Sequence, residues 1–119
     1  MFNGVSTNGT SVRQVQLGST TFTTSGYVSY AATNGTTLST VTTGFPLGVG
    51  SAAADVVYGT IVLVNISGNI WIASGNTGPS YSASLSGGVT LSGTLDRVRI
   101  TTVNGTDTFD AGTINILYE

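Results

Sequence analysis

Apolar and polar residues alternate along this chain in short runs, which is the period-two pattern of β-strands. The longest run, residues 56–66, carries apolar side chains on both faces of the predicted strand. Such a strand is predicted to be covered on both sides, by the core or by a subunit contact. No window repeats apolar residues at the helical period of about 3.6 residues, so no helix is predicted. We expect much of the core and of the subunit contacts to come from Ile61, Val62, Leu63, Val64, Val98, Ile100, Ile114 and Ile116.

Turn-forming residues separate the apolar runs. Asn-Gly pairs tolerate the positive φ of tight turns, and Ser67-Gly68 predicts a hairpin between two neighbouring strands. Segment 33–54, rich in glycine, threonine and alanine, is predicted to be a long loop. The predicted strands are residues 12–17, 26–31, 56–66, 69–74, 81–85, 89–91, 95–103 and 113–118.

This succession of short strands and turns predicts the fold class. It is typical of an all-β protein, here a two-sheet antiparallel β-sandwich of jelly-roll-like form. The length of 119 residues fits one domain, which we place at residues 1–119.

Formal charge is scarce. Only 7% of the residues are charged, against about 25% in an ordinary domain. A nearly neutral surface does little to keep molecules apart in solution, so the composition favours a multimer. The net charge of −2 and the absence of lysine argue against a nucleic-acid partner, which requires clustered cations.

Other features of the sequence narrow the class of protein further. The absence of cysteine excludes disulfides and thiolate metal sites. The N-terminus has neither the basic nor the apolar region of a signal peptide, and no apolar stretch is long enough to insert in a membrane. We expect neither a cofactor nor membrane insertion.

Two stretches of the chain are FNGVSTNGTS near the N-terminus and VTLSGTLDRVRITTVNGTDTFDAGTINILYE at the C-terminus. Both resemble the C-terminal domains of bacteriophage tail fibres and related virion structural proteins, including those of cyanophages. VQLGS and TSGY lie between them, and the resemblance spans nearly the whole chain. It implies a virion component, made in the bacterial cytoplasm, that forms a homotrimer and contacts other virion proteins or the host surface. It implies no enzymatic activity.

The chain departs from this family in one respect. Family members carry an additional strand with a Pro-Trp element before the FNGVS region, whereas Met1 and Phe2 already lie inside the first strand here. We expect either a shortened module or a neighbouring subunit that supplies the missing edge.

Catalytic chemistry has little support. Without histidine, cysteine or lysine, a Ser-His-Asp arrangement and most general bases are excluded. Asp107 and Asp110 leave a paired-carboxylate glycosidase formally open. We interpret them instead as loop residues that accept hydrogen bonds from nearby backbone N–H groups. They are also weak candidates for a cation site, although their spacing is not that of an EF-hand.

Candidate ligand contacts are aromatic rings and one pair of arginines: Trp71, Tyr27, Tyr30, Tyr81, Arg97 and Arg99. The rings could stack on the sugars of a host-surface glycan, and the arginines could anchor acidic groups. Each has a structural alternative, because Trp71 could pack in the core or a subunit seam and the arginines could pair with Asp96.

The sequence therefore leaves two main functions open. The first is a tail-fibre or receptor-binding module that attaches through multivalent weak contacts. The alternative is a capsid decoration, or cement, protein that binds other virion proteins. A glycan-degrading enzyme has only fold-level analogy in its favour.

Overall fold

A computed structural model describes residues 1–33, 37–49, 52–78 and 82–119. The described residues form eleven strands and no helix. In chain order the strands are β1 Phe2–Thr7, β2 Arg13–Ser19, β3 Thr21–Phe22, β4 Val28–Thr33, β5 Thr37–Val41, β6 Phe45–Pro46, β7 Val57–Ser67, β8 Ile70–Gly78, β9 Ala83–Thr90, β10 Arg97–Thr102 and β11 Phe109–Ile114. Within these residues there is accordingly no helix that could span a bilayer.

The strands form two antiparallel sheets. The large sheet has seven strands in the order β11-β1-β7-β8-β9-β4-β5. The small sheet has the order β10-β2-β3, with β6 also paired to β2. Between β1 and β11 the chain crosses repeatedly from one sheet to the other, as it does in jelly-roll windings. The predicted all-β, two-sheet antiparallel architecture is confirmed.

The core lies between the two sheets and receives side chains from both. Its buried apolar members are Phe2, Val5, Val15, Leu17, Tyr27, Ala31, Phe45, Leu47, Val57, Ala73, Leu85, Val89 and Leu91. Of the eight residues expected to supply core and subunit contacts, four pack on this core. Ile61, Leu63, Val98 and Ile100 are half-buried against this cluster, whereas Val62, Val64, Ile114 and Ile116 are exposed. Val62 and Val64 lie on the face of the large sheet that the small sheet does not cover, whereas Ile114 ends the edge strand β11 and Ile116 follows it.

Segment 33–54, predicted as a loop, contains β5 and β6. Phe45 in β6 is fully buried and pairs with Val15 of β2. Its ring meets that of Tyr27 edge-on, with centroids 5.0 Å apart. The prediction failed because two short strands in a glycine- and threonine-rich context leave almost no alternating pattern to detect.

The C-terminal strand lies earlier than predicted. β11 ends at Ile114, and one further backbone hydrogen bond runs from the N–H of Asn115 to the carbonyl of Met1. Ile116, Leu117 and Tyr118 are exposed and follow β11, so the later part of the predicted strand 113–118 is not paired within the described residues.

The first strand is paired on both sides. β1 lies between β7 and β11 of the same chain. Within this chain β1 therefore has no open edge for a neighbouring subunit to complete, and the contribution of another subunit stays a prediction. Close packing requires glycine at Gly112, whose φ is +93° and where a Cβ would lie 2.5 Å from the backbone of Gly4.

One buried hydroxyl connects the two sheets. Tyr27, just before β4, accepts a hydrogen bond from the N–H of Leu17 in β2 at 2.8 Å and donates one to the carbonyl of Leu17 at 3.3 Å. Burial raises the pKa of the Tyr27 hydroxyl, so it stays neutral and can donate.

We predict that Tyr27→Phe lowers the free energy of unfolding by roughly 1–3 kcal/mol, because it leaves a buried backbone N–H without its partner. Tyr30→Phe removes an exposed hydroxyl and should change stability by less than about 0.5 kcal/mol. Urea unfolding followed by fluorescence measures both. Equal losses in the two variants would show that the hydroxyl contact with Leu17 contributes nothing specific.

Candidate functional site

The outward surface of five adjacent strands carries no formal charge. As the structure bounds them, β4, β5, β7, β8 and β9 contain no Asp, Glu, Lys or Arg. We call their outward surface the uncharged face. Most protein surfaces intersperse charges of both signs, so a neutral area of five strands stands apart from an ordinary solvated surface.

Strand register brings the apolar residues of this face side by side. Val64 pairs with Ile72, and Ile72 and Val28 both pair with Gly88. Because directly paired residues lie on the same face of a sheet, these positions form one row across four strands. Gly88 has no side chain, so it leaves a shallow depression between Ile72 and Val28.

Leu38 of β5 is an exposed apolar residue of the uncharged face that lies away from the hairpin of β7 and β8. Six other apolar residues lie nearer to that hairpin, and we call these six the apolar strip. Their exposed fractions run from 40% to 63%. They are Val28, Val62, Val64, Ile66, Ile70 and Ile72. Single exposed apolar residues are ordinary, but contiguous ones on a monomer usually mark a binding surface.

The face becomes polar but remains neutral further from the hairpin between β7 and β8. In the next row, Val62 pairs with Ser74, Ser74 with Ser86, and Ser86 with Tyr30. The Tyr30 ring is exposed there and pairs with Thr40 of β5. An aromatic ring thus lies among hydroxyl groups at one end of the uncharged face.

The aromatic candidates from the sequence do not share one surface. Trp71 faces inward and packs, half-buried, against the core. Tyr27 is 1% exposed, so its ring is part of the core and not of an exposed platform. Of these candidates, Tyr30 is on the uncharged face, and Tyr81 lies outside the described residues.

The two arginines lie on the small sheet. The Arg99 guanidinium stacks over the Phe22 ring, 4.3 Å from its centroid, and its Nε donates to Oε1 of Gln16 at 2.7 Å. Arg97 Nε forms an ion pair with Asp96 Oδ1 at 2.6 Å, which lowers the pKa of Asp96 and raises that of Arg97. The ion pair considered as the structural alternative is thus present for Arg97, whereas Arg99 contacts Phe22 and Gln16 instead of Asp96.

Asp107 and Asp110 connect the C-terminal loop to the N-terminal part of the chain. Asp107 accepts hydrogen bonds from Asn104 Nδ2 at 2.7 Å and from the backbone N–H of Ser11 at 2.9 Å. The hydroxyl of Ser6 donates to the Asp110 carboxylate. In the part of the chain that the structure describes, no three His, Cys, Asp or Glu side chains group as metal ligands do.

A buried arginine was missed by sequence reasoning. Arg13 is 4% exposed, and its Nη2 donates to the Asp55 carbonyl at 2.7 Å and to the Ala52 carbonyl at 3.4 Å. Burial lowers its pKa, while the charges of Asp55, Asp110 and Asp107 act in the opposite direction. A lone arginine at the start of a predicted strand gives no signal of burial, so the sequence offered no means of finding it.

A scan against protein-family models, a search of curated proteins and a search of solved structures each find no match to this chain. The resemblance to phage tail-fibre domains therefore stays a prediction.

The Asp107 contacts predict a dependence of stability on pH. The hydrogen bond from Asn104, followed by that from Ser11, lowers the pKa of Asp107 in the folded state. In the unfolded chain the pKa of an aspartate is about 3.9. Because the pKa of Asp107 is lower in the folded protein, its ionised carboxylate stabilises the fold at pH values above about 3.9, and this stabilisation is lost as the pH falls through the folded-state pKa. We expect Asp107→Asn to flatten the fall in unfolding temperature below about pH 4.

Scanning calorimetry between about pH 2 and pH 7 covers this window. Glu119→Gln, which removes an exposed carboxylate outside the loop, should keep the slope of the original chain. An unchanged slope in Asp107→Asn would show that the loop contacts do not favour the ionised carboxylate.

Proposed function

We propose that this chain is a non-enzymatic structural protein that assembles with other proteins through its uncharged face. The observation that carries the proposal is the apolar strip, a contiguous set of half-exposed Val and Ile side chains on two neighbouring hairpin strands and on β4. Burying such side chains against a protein partner is favourable by about 25 cal/mol per Å² of apolar surface.

The chemistry of the face selects the class of partner. A nucleic acid or another strongly anionic partner needs clustered cations, and the uncharged face has none. A protein surface of similar neutral, apolar character can cover the strip without removing any charge from water. This supports the attachment of the chain to other proteins of an assembly.

The resemblance of the sequence to phage tail-fibre domains supports the proposal that this assembly is a bacteriophage virion. Within that proposal, the apolar strip favours a decoration-type role, in which the chain binds other virion proteins. Other observations that support a binding role over catalysis are the dispersed aromatic candidates and the hydrogen bonds that engage Asp107 in its loop and Asp110 with Ser6.

One further observation favours receptor binding as a second candidate. The exposed ring of Tyr30 lies beside hydroxyl-bearing Ser86 and Thr40, and a ring flanked by hydroxyls suits a neutral sugar. Arg97 and Arg99 are on the other sheet, so a glycan bound at Tyr30 would not reach them.

The proposal predicts that the chain copurifies with phage particles and that Ile72→Glu abolishes this attachment. A glutamate in the apolar strip would bury an unpaired charge against the partner. Particles are separated on a density gradient and probed with an antibody to the chain. Leu117→Glu, at an exposed position outside the uncharged face, is the matched control and should remain on the particle.

Absence of the original chain from every particle fraction would contradict the virion assignment. Retention of Ile72→Glu at the level of the original chain would contradict the role of the face.

The second candidate has its own test. If a neutral glycan binds at Tyr30, Tyr30→Ala should reduce retention on a glycan array by at least about tenfold, as expected when a stacking ring is removed. Tyr58→Ala removes another exposed ring of the uncharged face and should leave retention unchanged. No binding of the original chain to any glycan would remove receptor binding from consideration.

A further inference from the structure

We propose that the uncharged face binds a second copy of this chain, so that two copies pack face to face about a two-fold axis through the apolar strip. This inference rests on the proposed function, because it takes the uncharged face as the assembly surface and names a second copy as the protein that this face binds, so that the chain joins the particle as a dimer. Isologous contacts, in which both partners use the same patch, form the commonest class of oligomer.

The distribution of charge is the first argument for a second copy. The charged residues of the chain lie on or beside β2, β10 and β11, on the segment before β7 and at the C-terminus. The uncharged face of a second copy therefore meets the first without like-charge repulsion and without burying an unpaired charge. A partner with an ordinary charged surface would lose hydration of its charges and find no counter-ion here.

The order of residues within the face is the second argument. The strip lies toward the hairpin of β7 and β8, and the hydroxyl-bearing rows follow on one side of it. A two-fold axis through the Val64–Ile72 row places apolar side chains against apolar side chains. The same rotation leaves Ser74, Ser86 and their neighbours at the periphery, which matches the apolar centre and polar rim of protein interfaces.

The size of the face is the third argument. Five strands spaced about 4.8 Å apart, with about eight residues each rising about 3.3 Å, cover roughly 24 Å by 26 Å in projection. Side chains make the accessible area larger than its projection. The face is therefore comparable with the surface of about 800 Å² that each partner contributes to an interface of standard size.

Paired charge variants test the inference. One variant carries Val64→Lys and Ile72→Lys, and the other carries Val64→Glu and Ile72→Glu. Both positions are exposed, so the fold should be retained, which circular dichroism and thermal unfolding verify. In a two-fold contact each substitution occurs twice across the interface, and like charges oppose each other near the axis.

Light scattering on a sizing column measures the mass over a range of concentrations. We expect a dimer for the original chain and at least about 100-fold weaker association for each charge variant alone. An equimolar mixture of the two variants should recover the dimer mass, because lysines of one copy then face glutamates of the other. Recovery on mixing distinguishes self-contact from contact with a different surface. Leu117→Lys and Leu117→Glu are the matched controls and should remain dimeric.

Salt supplies a second readout. The original dimer should have a dissociation constant nearly independent of ionic strength, whereas the mixed charged dimer should weaken as salt screens its pairs.

Several results would overturn the inference. A monomeric original chain would do so, as would an oligomer that both charge variants retain. A trimer, the state expected from the sequence resemblance, or a mixture that fails to recover the dimer, would indicate a head-to-tail contact in place of the face-to-face one.

A failure of the face-to-face dimer can be distinguished from a failure of the proposed function. If the chain is monomeric and Ile72→Glu still prevents attachment to particles, the face binds a different virion protein and only its occupant is misassigned.

Discussion

The period of two along a β-strand is the constraint on which the rest of this structure depends. In β7, Ile61 and Leu63 turn inward to pack on the core, so Val62 and Val64 necessarily turn outward. The small sheet covers only the inner side. The same strand therefore supplies half-buried support for the core and the exposed apolar strip, and a one-residue slip of register would exchange the two sets.

Charged side chains are distributed unevenly over the molecule. Several of them hold segments that lie outside the hydrogen-bonded strand pairs. Arg13 fixes the segment before β7 through backbone carbonyls, and Asp107 fixes the loop before β11 through Ser11 and Asn104. Gly9 lies so close to Asp107 that a Cβ would fall 2.2 Å from the carboxylate. The few charges of the chain thus act mainly within it, and none of them lies in a strand of the uncharged face.

The sequence was sufficient for the architecture and insufficient for the direction of many side chains. Long β-branched runs identified β7, β8 and β10. Ser67-Gly68 located the hairpin between β7 and β8, whose turn is centred on Gly68 and Asn69. The pattern also showed that β7 is apolar on both faces, but it could not indicate which face is covered within one chain. Tyr27 and Phe45 were missed as core residues because their burial depends on the packing of one sheet on the other. Such contacts join distant parts of the chain and leave no local periodicity.

The position of β1 has a consequence for the order in which the protein can fold. β1 pairs with β7 and with β11, so that Phe2 lies opposite both Gly59 and Ile114. Closing such distant pairs costs chain entropy before any contact compensates for it, and topologies dominated by them fold slowly. During synthesis β1 remains without its neighbours until β7 has left the ribosome, and the large sheet is complete only when β11 follows. In that interval the edge of β1 is open to strands of other nascent chains, and we expect slow synthesis or high expression to favour misassembly at this point.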